Sequence, residues 1–204
     1  PEVGDVPLAC DASSDFLSRP LPIEKYGVLY ACAQKNAGPA GVTIVIIRDD
    51  LAERSPKTLP AMLSYKVQAD GKSLVNTPPC FAIYVVKLVT EWIQREFGDL
   101  AGLHEHNKKK AGILLEAIAQ SDGYYRAHAE PESQSLMNVA FRLPTPELEE
   151  QFLKGTAEQG LTSLKGHRSV GGCRASIYNA MPIEGVQKLA DFMGRFRAEH
   201  PAAG

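Results

Sequence analysis

Gly27-Val28-Leu29-Tyr30-Ala31-Cys32-Ala33-Gln34-Lys35-Asn36-Ala37-Gly38-Pro39-Ala40-Gly41-Val42-Thr43-Ile44-Val45-Ile46-Ile47 holds two apolar runs separated by a polar turn rich in glycine and proline. Runs of this length and composition, bounded by turn residues, read as buried strands. Upstream, residues 6–10 form another such run and end at Asp11, as a parallel strand ends at its carboxyl tip. Downstream, residues 63–67 predict a weaker strand. From Pro79 the period becomes helical: Phe81, Val85, Leu88, Val89 and Trp92 recur at steps of three and four and predict a long helix with that face inward.

After a break at residues 98–102, the pattern predicts a helix over 103–120 with Ile113, Leu114, Ala117 and Ile118 inward. Residues 124–129 and 137–143 alternate like half-buried antiparallel strands, 146–159 read as a helix, and 163–165 and 175–179 as short strands. An amphipathic helix over 182–198 turns Val186, Leu189, Met193 and Phe196 inward. The expected organisation is an α/β unit over 1–105 and an α+β unit over 106–204, with a cleft between the two layers.

Of 204 residues, 44% are hydrophobic and 23% charged, which excludes disorder. Lys plus Arg is 22 against 24 for Asp plus Glu, so a general nucleic-acid binder is not expected. Cys10, Cys32, Cys80 and Cys173 form no CxxC pair and read as reduced core residues of a cytoplasmic protein. The apolar run at 80–88 is interrupted by Lys87 and too short for a membrane span, which needs about 20 residues. No targeting segment opens the chain, and its first residue is Pro1, so we expect a piece of a longer protein. The basic run His106-Asn107-Lys108-Lys109-Lys110 reads as a solvated helix face. His104, His128 and His200 lack metal-ligand spacing, and Trp92, Tyr124 and Tyr125 read as core. Neither a P-loop nor a dinucleotide fingerprint is present.

Lys35 carries the strongest chemical signal, because it follows a buried strand inside a glycine-rich turn. Partial desolvation at the mouth of a sheet favours the neutral amine, the form that attacks an aldehyde. Its alternative is a solvated loop lysine. Asp11 ends the neighbouring strand with Ser13 and Ser14 beside it. A buried carboxylate there demands a cationic partner, which a protonated pyridine nitrogen would supply; an Asx-turn aspartate is the plainer reading.

Asp11-Ala12-Ser13-Ser14-Asp15-Phe16-Leu17-Ser18-Arg19-Pro20, Tyr30-Ala31-Cys32-Ala33-Gln34-Lys35-Asn36, Asn76-Thr77-Pro78-Pro79 and the stretch from Lys165-Gly166-His167-Arg168 through Gly171-Gly172-Cys173-Arg174 to Met181-Pro182 occur in that order. In order and spacing the chain resembles the C-terminal portion of the phosphoserine aminotransferase family, pyridoxal-phosphate enzymes of fold type I. The resemblance covers essentially the whole chain. It implies part of a mostly parallel large-domain sheet followed by a small α+β domain.

It also implies roles. Lys35 matches the lysine that bonds the cofactor aldehyde and moves the substrate proton. Asp11 matches the carboxylate paired with the pyridine nitrogen, and Gln34 a residue near the cofactor phosphate. Asn76 and Thr77 match a phosphate-binding pair that the family donates across a homodimer interface; without the family they read as a helix cap. His167, Arg168 and Arg174 match substrate-binding groups, with Arg174 for the α-carboxylate and the other two assisting at the distal phosphate, since arginine's planar fork binds such anions bidentately. The implied reaction moves an amino group between glutamate and 3-phosphohydroxypyruvate in serine biosynthesis. The bacterial side reaction in vitamin B6 synthesis stays open, as do another fold-type I aminotransferase or lyase and a catalytically silent dimerising fragment. Cys32, Ala37 and Cys173 depart from the family's usual residues. The missing N-terminal segment is expected to supply the aromatic stacked on the ring and a threonine that helps hold the cofactor.

Overall fold

The computed structural model describes residues 3–201. It contains two compact units, one ending at Ala101 and the other beginning at Gly102. The first holds a three-stranded sheet in the order β1 (Ala9–Asp11), β2 (Val28–Cys32), β3 (Thr43–Ile47). β1 runs parallel to β2, with Asp11 opposite Tyr30, and β2 runs antiparallel to β3, with Cys32 opposite Thr43. The connection between β2 and β3 is too short for a crossover, so the two strands can only pair as a hairpin. One of the two pairings is therefore parallel.

β2 is the central strand, and Leu29 and Ala31 are its buried residues. β1 and β3 are edges. β1 is shorter and more open than the apolar run predicts: Val6 lies outside it and is exposed, and Asp11 is exposed at its tip. The expectation of a buried Asp11 fails because an edge strand covers only one of its flanks.

Short helices α1 (Asp49–Glu53) and α2 (Tyr65–Asp70) follow. The strand predicted over 63–67 does not form. Ser64 caps α2, its Oγ accepting from the Val67 amide at 3.3 Å, and a capped turn outcompetes two-residue alternation when nothing pairs with the strand. α3 (Cys80–Phe97) forms as expected but is rotated by about one residue. Ala82 and Ile93 are its buried positions, whereas Phe81 is 76% exposed and Leu88 is exposed too. Both faces of α3 are apolar, so periodicity alone could not choose between them.

In the second unit, β4 (Arg126–Ala127), β5 (Asn138–Arg142) and β6 (Cys173–Ser176) form an antiparallel sheet, packed with α4 (Leu100–Ala119), α5 (Pro146–Glu158) and α6 (Ile183–Glu199). Its core includes Leu114, Ile118, Phe141, Phe152, Val186, Leu189, Met193 and Phe196, and Phe152 meets Phe141 and Phe196 edge-on. The inward face predicted for α6 is buried at all four positions. On α4, Leu114 and Ile118 are buried as expected, with Ile113 and Ala117 at the margin. The basic run departs from expectation: Asn107 and Lys110 are fully buried. They share a stripe with Leu103, Ala111, Leu114 and Ile118, and a count of charges does not register helical phase. Of the cysteines, all unpaired, Cys173 is buried and Cys10 and Cys32 are half-buried, but Cys80 is exposed at the start of α3. No helix among the described residues is long and apolar enough to cross a membrane.

Candidate active site

In the first unit, β1 and β2 run parallel and present their carboxyl ends together, the place where open α/β sheets bind ligands. β2 leads into a tight turn in which the amides of Ala37 and Gly38 both donate to the Ala33 carbonyl (3.1 and 2.8 Å). Ala33, Asn36 and Ala37 are buried, so the turn is anchored from beneath and lifts a half-buried Lys35. Lys35 Nζ donates to Ser14 Oγ at 2.6 Å, and Asn36 Nδ2 donates to the Ser14 carbonyl at 3.3 Å. Its partner is a neutral hydroxyl.

Asp11, at the tip of β1, accepts the Ser13 amide on Oδ1 at 2.9 Å, while Ser13 Oγ accepts the Cys32 amide at 3.0 Å. Bonds from the Ser13 hydroxyl and amide hold the Asp11 carboxyl below the ordinary carboxylate range against desolvation, with the Tyr30 hydroxyl and the Lys35 charge assisting. Asp11 is thus ionised and open to solvent, and its charge reaches Lys35. The structure brings these two together and adds Ser14 and Tyr30, to which the sequence reading gave no role. The Asp-x-Ser-Ser spacing was the available signal, since it favours an Asx turn that aims the serines across to the next strand.

Gln34 is exposed beside Lys35. Asn76 and Thr77 are exposed ahead of α3, with Asn76 Nδ2 donating to the Thr77 carbonyl at 3.1 Å. They do not cap α3: its N-cap is Pro79, which has no side-chain cap bond, so the helix-cap reading fails.

In the second unit, alternation along β6 buries Cys173 and Ala175 and turns Arg174 to the other face. Arg174 Nε is buried and has no hydrogen-bond partner among the described residues. An orphaned guanidinium nitrogen is costly, and an anionic ligand would satisfy it. The loop before β6 carries exposed His167 and Arg168. His167 Nδ1 lies 2.7 Å from Ser169 Oγ, and its carbonyl accepts the amides of Val170 and Gly171. Arg142 donates to the Val170 carbonyl and so ties the loop to β5.

Gly166 closes this loop by donating to the Gly172 carbonyl at 2.8 Å. A Cβ on Gly166 would stand 1.9 Å from the Gly171 carbonyl oxygen, so backbone would have to move. Gly166→Ala is expected to cost about 2–3 kcal/mol, read as a lower urea midpoint at unchanged slope. An unchanged midpoint would contradict the close approach.

Residues 2–189 match the family described as aminotransferase class-V. The chain belongs to the class-V aminotransferase family. It is 53% identical over 199 residues to the phosphoserine aminotransferase of Herpetosiphon aurantiacus, covering 98% of this chain and 55% of that protein. The solved phosphoserine aminotransferase of Bacillus circulans subsp. alkalophilus superimposes with a TM-score of 0.92 at 51% identity, covering 98% of this chain and 55% of that one. The pyridoxal-phosphate-bound phosphoserine aminotransferase of Trichomonas vaginalis gives a TM-score of 0.87 at 41% identity, over 95% of this chain and 55% of that one. This class-V aminotransferase chain thus spans about half the length of the relatives it matches.

Its donor set suits pyridoxal phosphate: an amine for an aldehyde and an ionised carboxylate for a protonated ring nitrogen, at one end of one sheet.

Proposed function

We infer that this chain supplies the cofactor-anchoring lysine, its carboxylate partner and the substrate-anion loop of a phosphoserine transaminase. The observation that carries this reading is the pairing of Lys35, on a neutral hydroxyl, with the ionised and accessible Asp11. Pyridoxal phosphate, when bound, supplies an aldehyde carbon for the amino group and a ring that accepts the electrons released at the substrate Cα.

Lys35 Nζ takes and returns the proton at Cα, and Ser14 Oγ orients it. Asp11 keeps a proton on the ring nitrogen by charge-assisted hydrogen bonding. Gln34, Asn76 and Thr77 donate to the cofactor phosphate; the exposure of the latter two, and their freedom from capping, suit donation to a second copy in a homodimer. Arg174 takes the substrate α-carboxylate, and His167 and Arg168 the distal phosphate or carboxylate. Met62, Leu63, Leu74, Phe81 and Tyr84 form an exposed apolar series that a second subunit and the remaining length of the relatives would cover. The assembled enzyme works in the cytoplasm.

Absorbance and product analysis on the complete enzyme test this reading. With pyridoxal phosphate, the visible band should shift on adding glutamate, with release of 2-oxoglutarate, and 3-phosphohydroxypyruvate should then be converted to O-phosphoserine with return of the band. Conversion of other oxo acids alone would point to a different aminotransferase of this fold. A preparation that stays colourless with added cofactor would point to a silent scaffold.

A further inference from the structure

Lys110 on α4 is buried completely, at 0% exposure, and the reaction above does not use it. Its Nζ donates to the backbone carbonyls of Tyr178 (2.8 Å), Met181 (3.3 Å) and Asn179 (3.4 Å). Among the described residues it forms no ion pair, its ammonium being met there by carbonyl dipoles, and burial pushes its pKa down to about 8. One turn earlier, Asn107, also fully buried, donates to Asn179 Oδ1 at 3.0 Å.

A buried lysine is a poor way to gain stability, because a well-packed apolar residue of similar volume often does as well. What the ammonium offers is several donors converging on one turn. That turn, closed by the Met181 amide on the Tyr178 carbonyl at 2.9 Å, lies between the end of β6 and the start of α6. Along this strand Arg174, Ser176 and Tyr178 share the half-buried face while Cys173, Ala175 and Ile177 enter the core. Ser176 Oγ and Tyr178 Oη both donate to Asn138 Oδ1 on β5, at 3.1 and 3.3 Å. The segment carrying Arg174 is therefore held laterally by Asn138 and at its end by Lys110.

We propose that Lys110 is a positioning residue for substrate binding: by clamping the carbonyls of Tyr178, Asn179 and Met181 it fixes the strand that presents Arg174 to the substrate anion. The proposal rests on the reading of Arg174 given above. Lys110 touches no substrate. Removing it lets the end of the strand shift, and misplacement by about 1 Å can cost up to about a hundredfold.

The test is a double-mutant cycle in the complete enzyme, with KM for glutamate and kcat measured separately. Lys110→Met should raise KM between about ten- and a hundredfold and change kcat less than about threefold. Arg174→Lys should raise KM on its own, and the double variant should be no worse than Arg174→Lys by more than about threefold, because both changes act on the same contact. Multiplicative effects would overturn the proposal. So would a Lys110→Met enzyme that melts earlier but keeps its KM, which is the mark of a purely structural lysine. If Arg174→Lys leaves KM unchanged, the Arg174 reading fails and the clamp falls with it, an outcome recognisable without any change at Lys110. Should Lys110→Met not fold, Asn107→Ala loosens the same turn. It should raise KM in the same direction and non-additively with Arg174→Lys, and an unchanged KM would again overturn the clamp.

Discussion

Lys35→Ala lowers transamination by the complete enzyme by about four orders of magnitude, with little loss of stability. The expected size follows from the double duty of one nitrogen. Without Nζ there is no amine for the cofactor aldehyde and no group to move the Cα proton. Stability should change by less than about 1 kcal/mol, since the side chain is half-buried and among the described residues makes one hydrogen bond, to Ser14 Oγ. The turn itself is held by backbone bonds to the Ala33 carbonyl and by buried Asn36 and Ala37. Lys35→Arg separates nucleophilicity from charge: a guanidinium keeps the reach and the positive charge but does not lose its proton in proteins, so it should be as inactive as alanine. Steady-state rates beside a thermal melt read both effects. A Lys35→Ala enzyme within tenfold of the parent rate would remove the basis of the proposed function.

Asp11→Asn should lower the rate roughly 10²–10³-fold, the scale expected when one preorganised electrostatic partner is lost. Asparagine keeps the shape and can still accept the Ser13 amide, so the variant isolates the charge. The carboxyl lies below the ordinary range because of the Ser13 hydroxyl and amide, with Tyr30 and Lys35 assisting. A folded-state pKa below the unfolded one means that the contribution of Asp11 to stability is present above the unfolded value. It is lost as pH falls through the folded one. The acid limb of activity that reports Asp11 should likewise lie below the usual carboxylate range, and it should vanish in Asp11→Asn. Retention of the parent rate within threefold, or an acid limb that persists in the variant, would show that Asp11 is only an Asx-turn residue.

Strong local signals were legible in the residues. Thr145 followed by Pro146 starts α5, with the Leu148 amide bonded to Thr145 Oγ1 at 3.3 Å, and α6 buries the stripe its spacing marks out. The turn between β2 and β3 was equally plain. What could not be read are features decided by tertiary context. Residues 63–67 alternate like a strand, but no strand among the described residues pairs with them and Ser64 caps a helix instead. α3 has apolar residues on two faces, and packing chose the one containing Ala82 and Ile93. Lys110 looks like one of three solvated lysines until helical phase places it seven residues after Leu103, on the buried stripe. In the candidate site the positions of Lys35 and Asp11 at the ends of adjacent strands were legible, while the role proposed for Arg174 came from the family resemblance. Partners were not legible: the Ser14 hydroxyl on Lys35, and the carbonyl turn on Lys110 at the end of the Arg174 strand, depend on distances across the fold.

Borohydride treatment of the complete enzyme with pyridoxal phosphate, followed by proteolysis and mass mapping, asks directly which amine engages the aldehyde. Reduction makes that attachment permanent. The expected result is the mass of the reduced cofactor on the peptide containing Lys35, at a stoichiometry near one per chain, with Lys110 unlabelled in its buried site. Label spread over several surface lysines, or placed on a single lysine other than Lys35, would contradict the assignment of this turn as the catalytic centre.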